Sequence, residues 1–255
     1  MINSIDSPRK IDAQPAPDAK PILDAISVAA FAIVTLVGAR TADTGKHILR
    51  TRHYVKTLAQ RLTAHPRFAA FLTEKYVRIL SQSVLMHDIG TIGIPDRILL
   101  KPGRLTAEEF EIIKTHTTLA RNAIEQAEAS LGYRAELLQI IKELAYSHHE
   151  RWDGSGYPQG LAGEQIPLSA RLLAIADVYD ALISERVYRP GLPHDQAVAT
   201  IFQGRASQFD PDMVDAFIEI QDEFHAIAER YTDNEQDMQE KIEYMANAIA
   251  EEVRL

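Results

Sequence analysis

The sequence predicts an all-α protein, and three features of its 255 residues indicate this. From Pro21 onward, apolar residues recur three to four positions apart, which is the spacing of a helix face. Alternating strand patterns are scarce, and the helical pattern is interrupted by proline-containing loops at 90–103, 152–167 and 186–193. Apolar residues make up 46% of the chain and charged residues 25%, which suits a soluble protein with a buried core.

The chain divides into a leader, one main domain and a final helix. Residues 1–21 contain four prolines among small and charged residues, and we expect them to form a flexible leader. Residues 22–230 are predicted to form a single helical domain that includes an N-terminal helix. Residues 231–255 are predicted to form a C-terminal amphipathic helix, because apolar residues keep one stripe over 235–253.

The N-terminal helix is predicted from an uncharged run at residues 25–39, bracketed by Asp24 and Arg40. A membrane span needs about 20 apolar residues, so this run is too short. We therefore expect a buried or dimer-facing helix, with a homodimer formed through it, and no membrane partner. A membrane-associated helix is the weaker alternative.

The helices that follow are predicted from apolar stripes and from their first residues. Stripes lie within 48–62, 137–145 and 172–179. Thr106 precedes a run with acidic residues in its first turn, which is typical of a helix start. Asp210-Pro211 combines a capping side chain with proline at the first helical position, which indicates another start.

Charge and cysteine content restrict the partners of this chain. The formal net charge is −9, which argues against binding a nucleic-acid polymer, because phosphate backbones require a broad basic face. A small anionic ligand is still allowed if the cleft is locally positive. The chain has no cysteine, so a metal site must use histidine, aspartate, glutamate and water. This composition is compatible with a cytoplasmic protein.

Imidazoles and carboxylates recur at the ends of predicted helices. His87-Asp88 ends one apolar helix and His148-His149 ends another. Asp177 lies inside an apolar stripe, where a carboxylate without a partner is costly. Such side chains are nitrogen and oxygen ligands for divalent metals, so the sequence predicts a metal site.

Three further residues are weaker candidates for this metal site: Asp43, His47 and His116. Asp43 and His47 are four residues apart and can share one helix face. His116 lies in the middle of a helix, where a lone histidine is more often an ordinary polar residue. The other four histidines have no comparable surroundings and are expected at the surface or in packing: His53, His65, His194 and His225.

The loop that follows His148-His149 contains two glycines, in the sequence Asp153-Gly154-Ser155-Gly156-Tyr157-Pro158. Glycine permits sharp turns and a close backbone approach. The loop can be an ordinary connector, but its place directly after two candidate ligands favours a role beside the metals.

These motifs together resemble the HD-GYP group of HD-domain metal phosphohydrolases. His87-Asp88 resembles the HD pair, Gly156-Tyr157-Pro158 resembles the GYP signature, and residues 94–99 match a further family segment. The similarity covers about residues 22–220. It implies a helical HD-domain bundle with a metal site in its core. It also implies a phosphodiesterase that hydrolyses cyclic di-GMP to pGpG or GMP.

The resemblance also implies roles for individual residues. Two or three iron or manganese ions would be bound, and a hydroxide shared between two of them would attack phosphorus. One ion would be held by His47, His87, Asp88 and Asp177. The second would be held by Asp88, His116, His148 and His149, with Asp88 as the bridge. Asp43 stands where the family has a glutamate that serves a third ion, and Asp180 would support the ligands. Substrate contacts would come from Gly156, Tyr157, Arg186 and Arg189.

Two positions depart from the family in ways that bear on activity. Thr91 stands where the family has a lysine that approaches the reacting phosphate, and removing such a group can cost about 10²–10³ in rate. Asp43 is one methylene shorter than the family glutamate, which weakens the case for a third ion. Arg189 replaces a lysine, and this change keeps the positive charge.

Three functions follow from these observations. The leading hypothesis is a cyclic di-GMP phosphodiesterase with Asp88 and Thr91 in the catalytic centre. The alternative, favoured by Thr91, is a weakly active or inactive module that binds the dinucleotide or a diguanylate cyclase (GGDEF) partner. A hydrolase for other nucleotides is the third hypothesis, and the GYP loop argues against it.

Overall fold

The computed structural model describes residues 28, 31–38, 40, 46–132, 134–185, 190–233, 239, 242 and 243. The predicted leader and most of the predicted C-terminal helix lie outside the described residues. Three predicted site residues also lie outside them: Asp43, Arg186 and Arg189.

Helices account for the regular structure of the described residues, which form no β-strand but only two isolated bridges. Residues 31–38 are helical. The helices that follow are α1 (Lys46–Leu62), α2 (Glu74–Ser83), α3 (Asp96–Leu99), α4 (Ala107–Leu131), α5 (Glu136–Ser147), α6 (Leu168–Ile183), α7 (His194–Gln203), α8 (Pro211–Glu219) and α9 (Gln221–Arg230). Short 3-10 turns occupy Val84–Met86, Ile89–Gly93 and Gly163–Gln165. The predicted all-α fold is confirmed.

The core forms where α1 packs against α2, α6, α8 and α9. Its centre is a cluster of four fully buried aromatic residues whose ring centroids lie 4.6–5.7 Å apart: Tyr54, Tyr179, Phe217 and Phe224. Edge-on and stacked contacts of this kind add to the free energy of burial. Around this core, α6 also packs against α5 and α7, while α4 packs against α5 and the 3-10 turn Ile89–Gly93.

Helix starts follow the capping signals in the sequence. The Thr106 hydroxyl accepts from the Glu109 backbone N–H at 3.2 Å, and the Glu109 carboxylate accepts from the Thr106 N–H at 2.7 Å. Asp210 caps α8 by accepting from the Asp212 N–H at 3.1 Å, and Pro211 takes the first position. Both predicted starts are confirmed, since these side chains satisfy backbone donors that a helix leaves unpaired.

The N-terminal helical residues 31–38 bury one face. Val34 and Val37 are buried, whereas Phe31, Ile33 and Leu36 are exposed. Among the residues that the structure describes, no helix has the length and apolar character needed to span a bilayer.

Candidate metal centre

Seven of the predicted ligand residues converge in the structure, although their helices come from separate parts of the chain. They form two groups, each with ligand atoms within 4.8 Å of one another: Asp88, His116, His148 and His149 in the first group, and His47, His87 and Asp177 in the second group.

The first group is centred on one oxygen of Asp88. Asp88 Oδ1 lies 3.4 Å from His116 Nε2 and 3.4 Å from His148 Nε2. A cation at about 2.0–2.2 Å from each ligand atom accepts neighbouring ligands roughly 3–4 Å apart. These separations therefore suit one bound ion. The His149 ring lies next to the His148 ring, with centroids 4.0 Å apart and an angle of 42° between the ring planes.

The second group is centred on Asp177, which α6 carries into the cluster. Its Oδ1 lies 3.8 Å from His47 Nε2 and 4.0 Å from His87 Nε2. Asp88 reaches toward this group with its other oxygen, because Oδ2 lies 3.6 Å from His87 Nε2. The two oxygens of Asp88 thus face the two groups, as expected of a carboxylate shared by two ions.

Backbone hydrogen bonds fix the orientation of three histidine rings. His87 Nδ1 donates to Val84 O at 2.8 Å, His116 Nδ1 to Ile113 O at 2.7 Å, and His148 Nδ1 to Leu144 O at 2.8 Å. A carbonyl can only accept, so each Nδ1 carries the proton and each Nε2 presents a lone pair. Histidines that bind metals are oriented in this way.

The Nε2 atoms of these three histidines support the presence of a cation. Each is buried and has no hydrogen-bond partner. Each Nε2 lone pair faces a carboxylate oxygen that also only accepts, so the two atoms repel each other unless a cation lies between them. Buried polar atoms without a partner are costly, and a metal ion would satisfy them together.

Protonation in the cluster also favours cation binding. Burial opposes ionisation of Asp88, but the nearby His87, His116 and His148 rings outweigh it and hold the pKa of Asp88 well below its usual value. Burial, reinforced by the charge of His148, lowers the pKa of His149 well below its usual value. An ionised carboxylate and a neutral imidazole are the ligand forms that metals need.

The pKa values of two other histidines, His87 and His148, are shifted in opposite directions. Burial lowers the pKa of His87, with Asp88 opposing this effect. Burial lowers the pKa of His148 as well, but the neighbouring Asp88 carboxylate outweighs burial, and the net shift of the His148 pKa is upward.

A family model for the HD domain matches residues 39–213, which include all seven of these residues. The chain belongs to the HD domain family. Two proteins of Vibrio cholerae serotype O1, named a probable cyclic di-GMP phosphodiesterase and a cyclic di-GMP phosphodiesterase, are 49% and 50% identical to this HD domain over 82% and 81% of the chain. The matches cover 47% and 42% of those relatives, so the chain spans about half the length of the curated relatives it matches.

Two further comparisons concern more distant proteins. A cyclic di-GMP phosphodiesterase of Thermotoga maritima is 41% identical over 64% of this chain and 43% of its own length. A solved structure of an HDG"Y"P protein from Bdellovibrio bacteriovorus shares the fold, with a TM-score of 0.50 at 20% identity over 78% of this chain and 63% of that one. The predicted HD-GYP membership is confirmed.

The loop of residues 150–162, called the GYP loop because it contains Gly156-Tyr157-Pro158, folds back onto His148-His149. The Tyr157 N–H donates to His149 O at 3.3 Å, and the Tyr157 ring stacks on the His149 ring with centroids 4.8 Å apart. Gly156 is required by this close approach, because an added Cβ would lie 2.4 Å from Arg151 N and 2.6 Å from His149 O. Burial raises the pKa of Tyr157, so its phenol stays neutral.

Glu150, at the start of the same loop, stabilises it by hydrogen bonds to its backbone. Its carboxylate accepts from the Gln159 N–H at 2.7 Å and from the Leu161 N–H at 3.0 Å, and Glu150 itself is buried. A carboxylate that takes two backbone donors fixes the returning chain. The Trp152 and Asp153 N–H groups add bonds to Gln208 O at 3.1 Å and Ser207 O at 2.8 Å, so the loop is held both by its own residues and by the chain that precedes α8.

The segment after His87-Asp88 forms one wall of a small pocket that His47 also lines. The Thr91 hydroxyl donates to Asp88 O at 2.7 Å, so its proton is directed at the backbone and not at the cleft. Arg40 donates to Thr91 O at 3.1 Å, to Ile94 O at 2.6 Å and to Ile92 O, and it pairs with Asp96 Oδ1 at 2.7 Å. One guanidinium from the N-terminal helical region thus holds this wall.

Three residues of the site could not be identified from the sequence: Arg40, Glu150 and Arg50. Arg50 binds Asp180, which in turn contacts His47. The one signal for Arg50 is its spacing of three residues from His47, which places both on one helix face. Glu150 follows His149 directly, but nothing in the sequence shows that residues 159 and 161 return to it.

Proposed function

We propose that this HD domain hydrolyses cyclic di-GMP with the help of bound divalent metal ions. The observation that carries the proposal is Asp88, whose two oxygens face separate histidine groups at 3.4 and 3.6 Å. A carboxylate between two nitrogen-rich groups suits a two-metal centre, which is the arrangement that phosphodiester hydrolysis uses. The names of the relatives at 41–50% identity support cyclic di-GMP as the substrate.

The proposed ligands follow from the two groups. His47, His87, Asp88 and Asp177 would hold one ion, and Asp88, His116, His148 and His149 the other. Imidazole with carboxylate and no thiolate suits iron or manganese among the divalent metals. A third ion bound with Asp43 stays a prediction, since Asp43 lies outside the described residues.

When bound, such ions activate water and stabilise charge on phosphoryl oxygens. The protein then has to hold the dinucleotide and direct its phosphate to the centre. Asp88 is 48% exposed at its side chain, so a ligand can reach the centre from solvent. Tyr157, packed on His149, offers an aromatic face beside it, and Gly156 allows that position. Arg186 and Arg189 are proposed to contact the phosphates and guanine.

Several finer points belong to this proposal. The product is pGpG or GMP, and the proposed location is the cytoplasm, with which the absence of cysteine is compatible. A homodimer is proposed through the N-terminal helix. Its apolar residues Phe31, Ile33 and Leu36 are exposed to solvent and would pack against the second copy. A GGDEF partner stays a prediction.

The test of this proposal uses purified protein and the variant Asp88→Ala. Metal content is measured by elemental analysis, and products from cyclic di-GMP are separated by chromatography. We expect wild type to carry metal and form pGpG or GMP. Asp88→Ala should lose both ions and all hydrolysis while keeping its helical circular dichroism. Asp215→Ala is the control, because Asp215 forms a surface ion pair with Arg205.

Two results would decide against the proposal. Full metal occupancy in Asp88→Ala would exclude Asp88 as the bridging ligand. A wild-type protein that binds cyclic di-GMP tightly but cleaves none of it with either iron or manganese would favour the binding module, for which Thr91 is the motivating residue. A parallel assay with 3′3′-cGAMP is included because a relative named for that substrate is 35% identical over 77% of this chain.

A further inference from the structure

We infer that Arg50 is a positioning residue for the metal ligand His47 and acts through Asp180. This inference rests on the proposed metal centre, in which His47 is one ligand. The chain of contacts is short: His47 Nδ1 lies 2.7 Å from Asp180 Oδ2, and Arg50 Nε donates to Asp180 Oδ1 at 2.6 Å. Within the part of the chain that the structure describes, Arg50 hydrogen-bonds to Asp180, Ser184 and the Tyr231 carbonyl, and none of these is a proposed metal ligand or substrate contact.

Arg50 and Asp180 form a buried ion pair with two hydrogen bonds. Besides the Nε contact, Arg50 Nη2 donates to Asp180 Oδ2 at 3.0 Å. The Arg50 side chain is 5% exposed and the Asp180 side chain 2%. Such a two-point pair fixes the plane of the carboxylate as well as its position. Asp180 Oδ2 is therefore held at a defined place opposite His47.

The pair also sets the direction of the bond to His47. Arg50 donates to both oxygens of Asp180, at 2.6 and 3.0 Å, which is the pairing of a guanidinium with a carboxylate anion. A carboxylate anion only accepts, so His47 Nδ1 must donate. The lone pair of His47 Nε2 then faces Asp177 and His87, where the second group converges.

The orientation of His47 differs from that of the other ligand histidines. His87, His116 and His148 each donate to a carbonyl three or four residues earlier, within the preceding helical turn. His47 Nδ1 contacts side chains, with Asp180 Oδ2 at 2.7 Å and Thr51 Oγ1 at 3.3 Å. The carboxylate of Asp180, on α6, is the nearer of these two contacts and is the acceptor that Arg50 holds in place.

Arg50 also hydrogen-bonds to residues near the end of the domain, besides Asp180. Its remaining donors reach Ser184 Oγ at 2.9 Å and the Tyr231 carbonyl at 2.9 Å, and Asp233 adds negative charge nearby. Arg50 thus joins α1, the end of α6 and the residues after α9. Lysine cannot reproduce this, because a single ammonium cannot match both carboxylate oxygens in one plane.

The test uses the full chain with Arg50→Lys and, as control, Arg171→Lys. Arg171 forms another low-exposure pair with Asp210, at 2.7 Å, and Asp210 is not a candidate ligand. The first readout is long-range ¹H–¹⁵N NMR of the histidine rings in metal-free protein. We expect wild-type His47 to show a fixed Nδ1–H form. In Arg50→Lys the ¹⁵N chemical shifts of the two His47 ring nitrogens should move toward a common average. The ¹⁵N chemical shifts of the His87 and His116 rings should not change.

The second readout is Mn²⁺ titration by calorimetry. Loss of groups that orient metal ligands commonly costs about 10–100-fold in affinity, and we expect this loss at one site in Arg50→Lys and none in Arg171→Lys. If Arg50→Lys does not fold by circular dichroism, Arg50→Gln takes its place, since glutamine removes the charge and keeps a donor. An unchanged His47 signal with unchanged Mn²⁺ affinity would overturn the inference.

The failure of the inference and the failure of the proposed function can be told apart. If wild type binds no Mn²⁺, the proposed metal centre is wrong, while the ring spectrum of His47 still decides whether Arg50 positions it. If wild type binds Mn²⁺ and Arg50→Lys binds it equally well with His47 unmoved, the centre stands and the role of Arg50 is rejected.

Discussion

The two irregular segments beside the metal centre begin in the same way but are held by different means. Each follows a pair of candidate ligands: residues 89–96 follow His87-Asp88, and residues 150–162 follow His148-His149. The second segment is held by Glu150, which binds the backbone of residues 159 and 161, and by the carbonyls of residues 207 and 208, which accept from the Asp153 and Trp152 N–H groups. The first is fixed from outside, by Arg40, which precedes it by about fifty residues and binds its carbonyls.

This difference indicates which part of the site can respond to the rest of the chain. The described contacts that hold the GYP loop come from Glu150, from residues 207 and 208 and from Phe110 in α4, so changes before residue 46 should leave it in place. The segment after Asp88 depends on the N-terminal helical region, where Val34 and Val37 are also buried. A mutation in that region is therefore expected to change the conformation of the segment around Thr91 more than that of the GYP loop.

The largest effect is expected from Glu150→Ala, which removes the internal support of the GYP loop. It leaves two backbone N–H groups without their acceptor, and hydrogen bonds to charged groups contribute about 1.5–3 kcal/mol each. We expect a loss of about 3 kcal/mol in the free energy of unfolding, measured by urea denaturation. Glu150→Gln keeps one acceptor oxygen and should recover about half. Equal stability of all three proteins would show that the loop is held by other contacts.

A smaller loss is expected from Gly156→Ala. The new methyl group would meet backbone atoms at 2.4–2.6 Å, so the loop has to move away from His149. Overpacking of this kind costs about 1–3 kcal/mol. Because Tyr157 moves with the loop, hydrolysis of cyclic di-GMP should fall more steeply than stability does. Gly103→Ala is the control, since no atom lies within 4 Å of its added Cβ, although its positive φ adds some strain. Full activity in Gly156→Ala would separate the loop from substrate binding.

The sequence predicted those parts of this site that depend on neighbouring residues. His87-Asp88 and His148-His149 are adjacent in the chain, and their helices are recognisable from apolar spacing. The capping box at Thr106 is likewise local. Arg40 and Arg50 could not be selected from the 27 lysines and arginines, because their partners lie more than fifty residues away. Long-range pairing of this kind has no periodic signal in a single sequence.

Arg40→Ala tests the external support and should have a modest effect on stability. The Arg40 side chain is 26% exposed and its partner Asp96 44%, so solvent weakens their attraction. We expect a loss of about 1 kcal/mol in the free energy of unfolding, mainly from the carbonyl hydrogen bonds. Hydrogen exchange should rise at residues 89–94 and stay unchanged at 156–161. A rise in both segments would show that the two walls are not independently held.

Thr91→Lys is expected to have a similarly small effect on stability and, in addition, an effect on rate. Thr91 lines a small pocket with His87 and Asp88, so a longer side chain at this position can extend toward the centre. The change removes the hydrogen bond from the hydroxyl to Asp88 O, which costs about 1 kcal/mol. It adds a cation where negative charge grows during phosphate attack, and this favours the transition state over the bound substrate.

The measurement that isolates this charge is single-turnover cleavage of cyclic di-GMP by wild type, Thr91→Lys and Thr91→Met. Methionine has a similar reach without the charge, so it controls for side-chain length. A single electrostatic group can contribute about 10²–10³ in rate, but the proposed metals would supply most of the stabilisation, so we expect roughly tenfold for lysine and no gain for methionine. Affinity for the dinucleotide should change less than the rate. If wild type is already fast and lysine slows it, the wall held by Arg40 stabilises the phosphate in another way, and the neutral residue at 91 is then part of that arrangement.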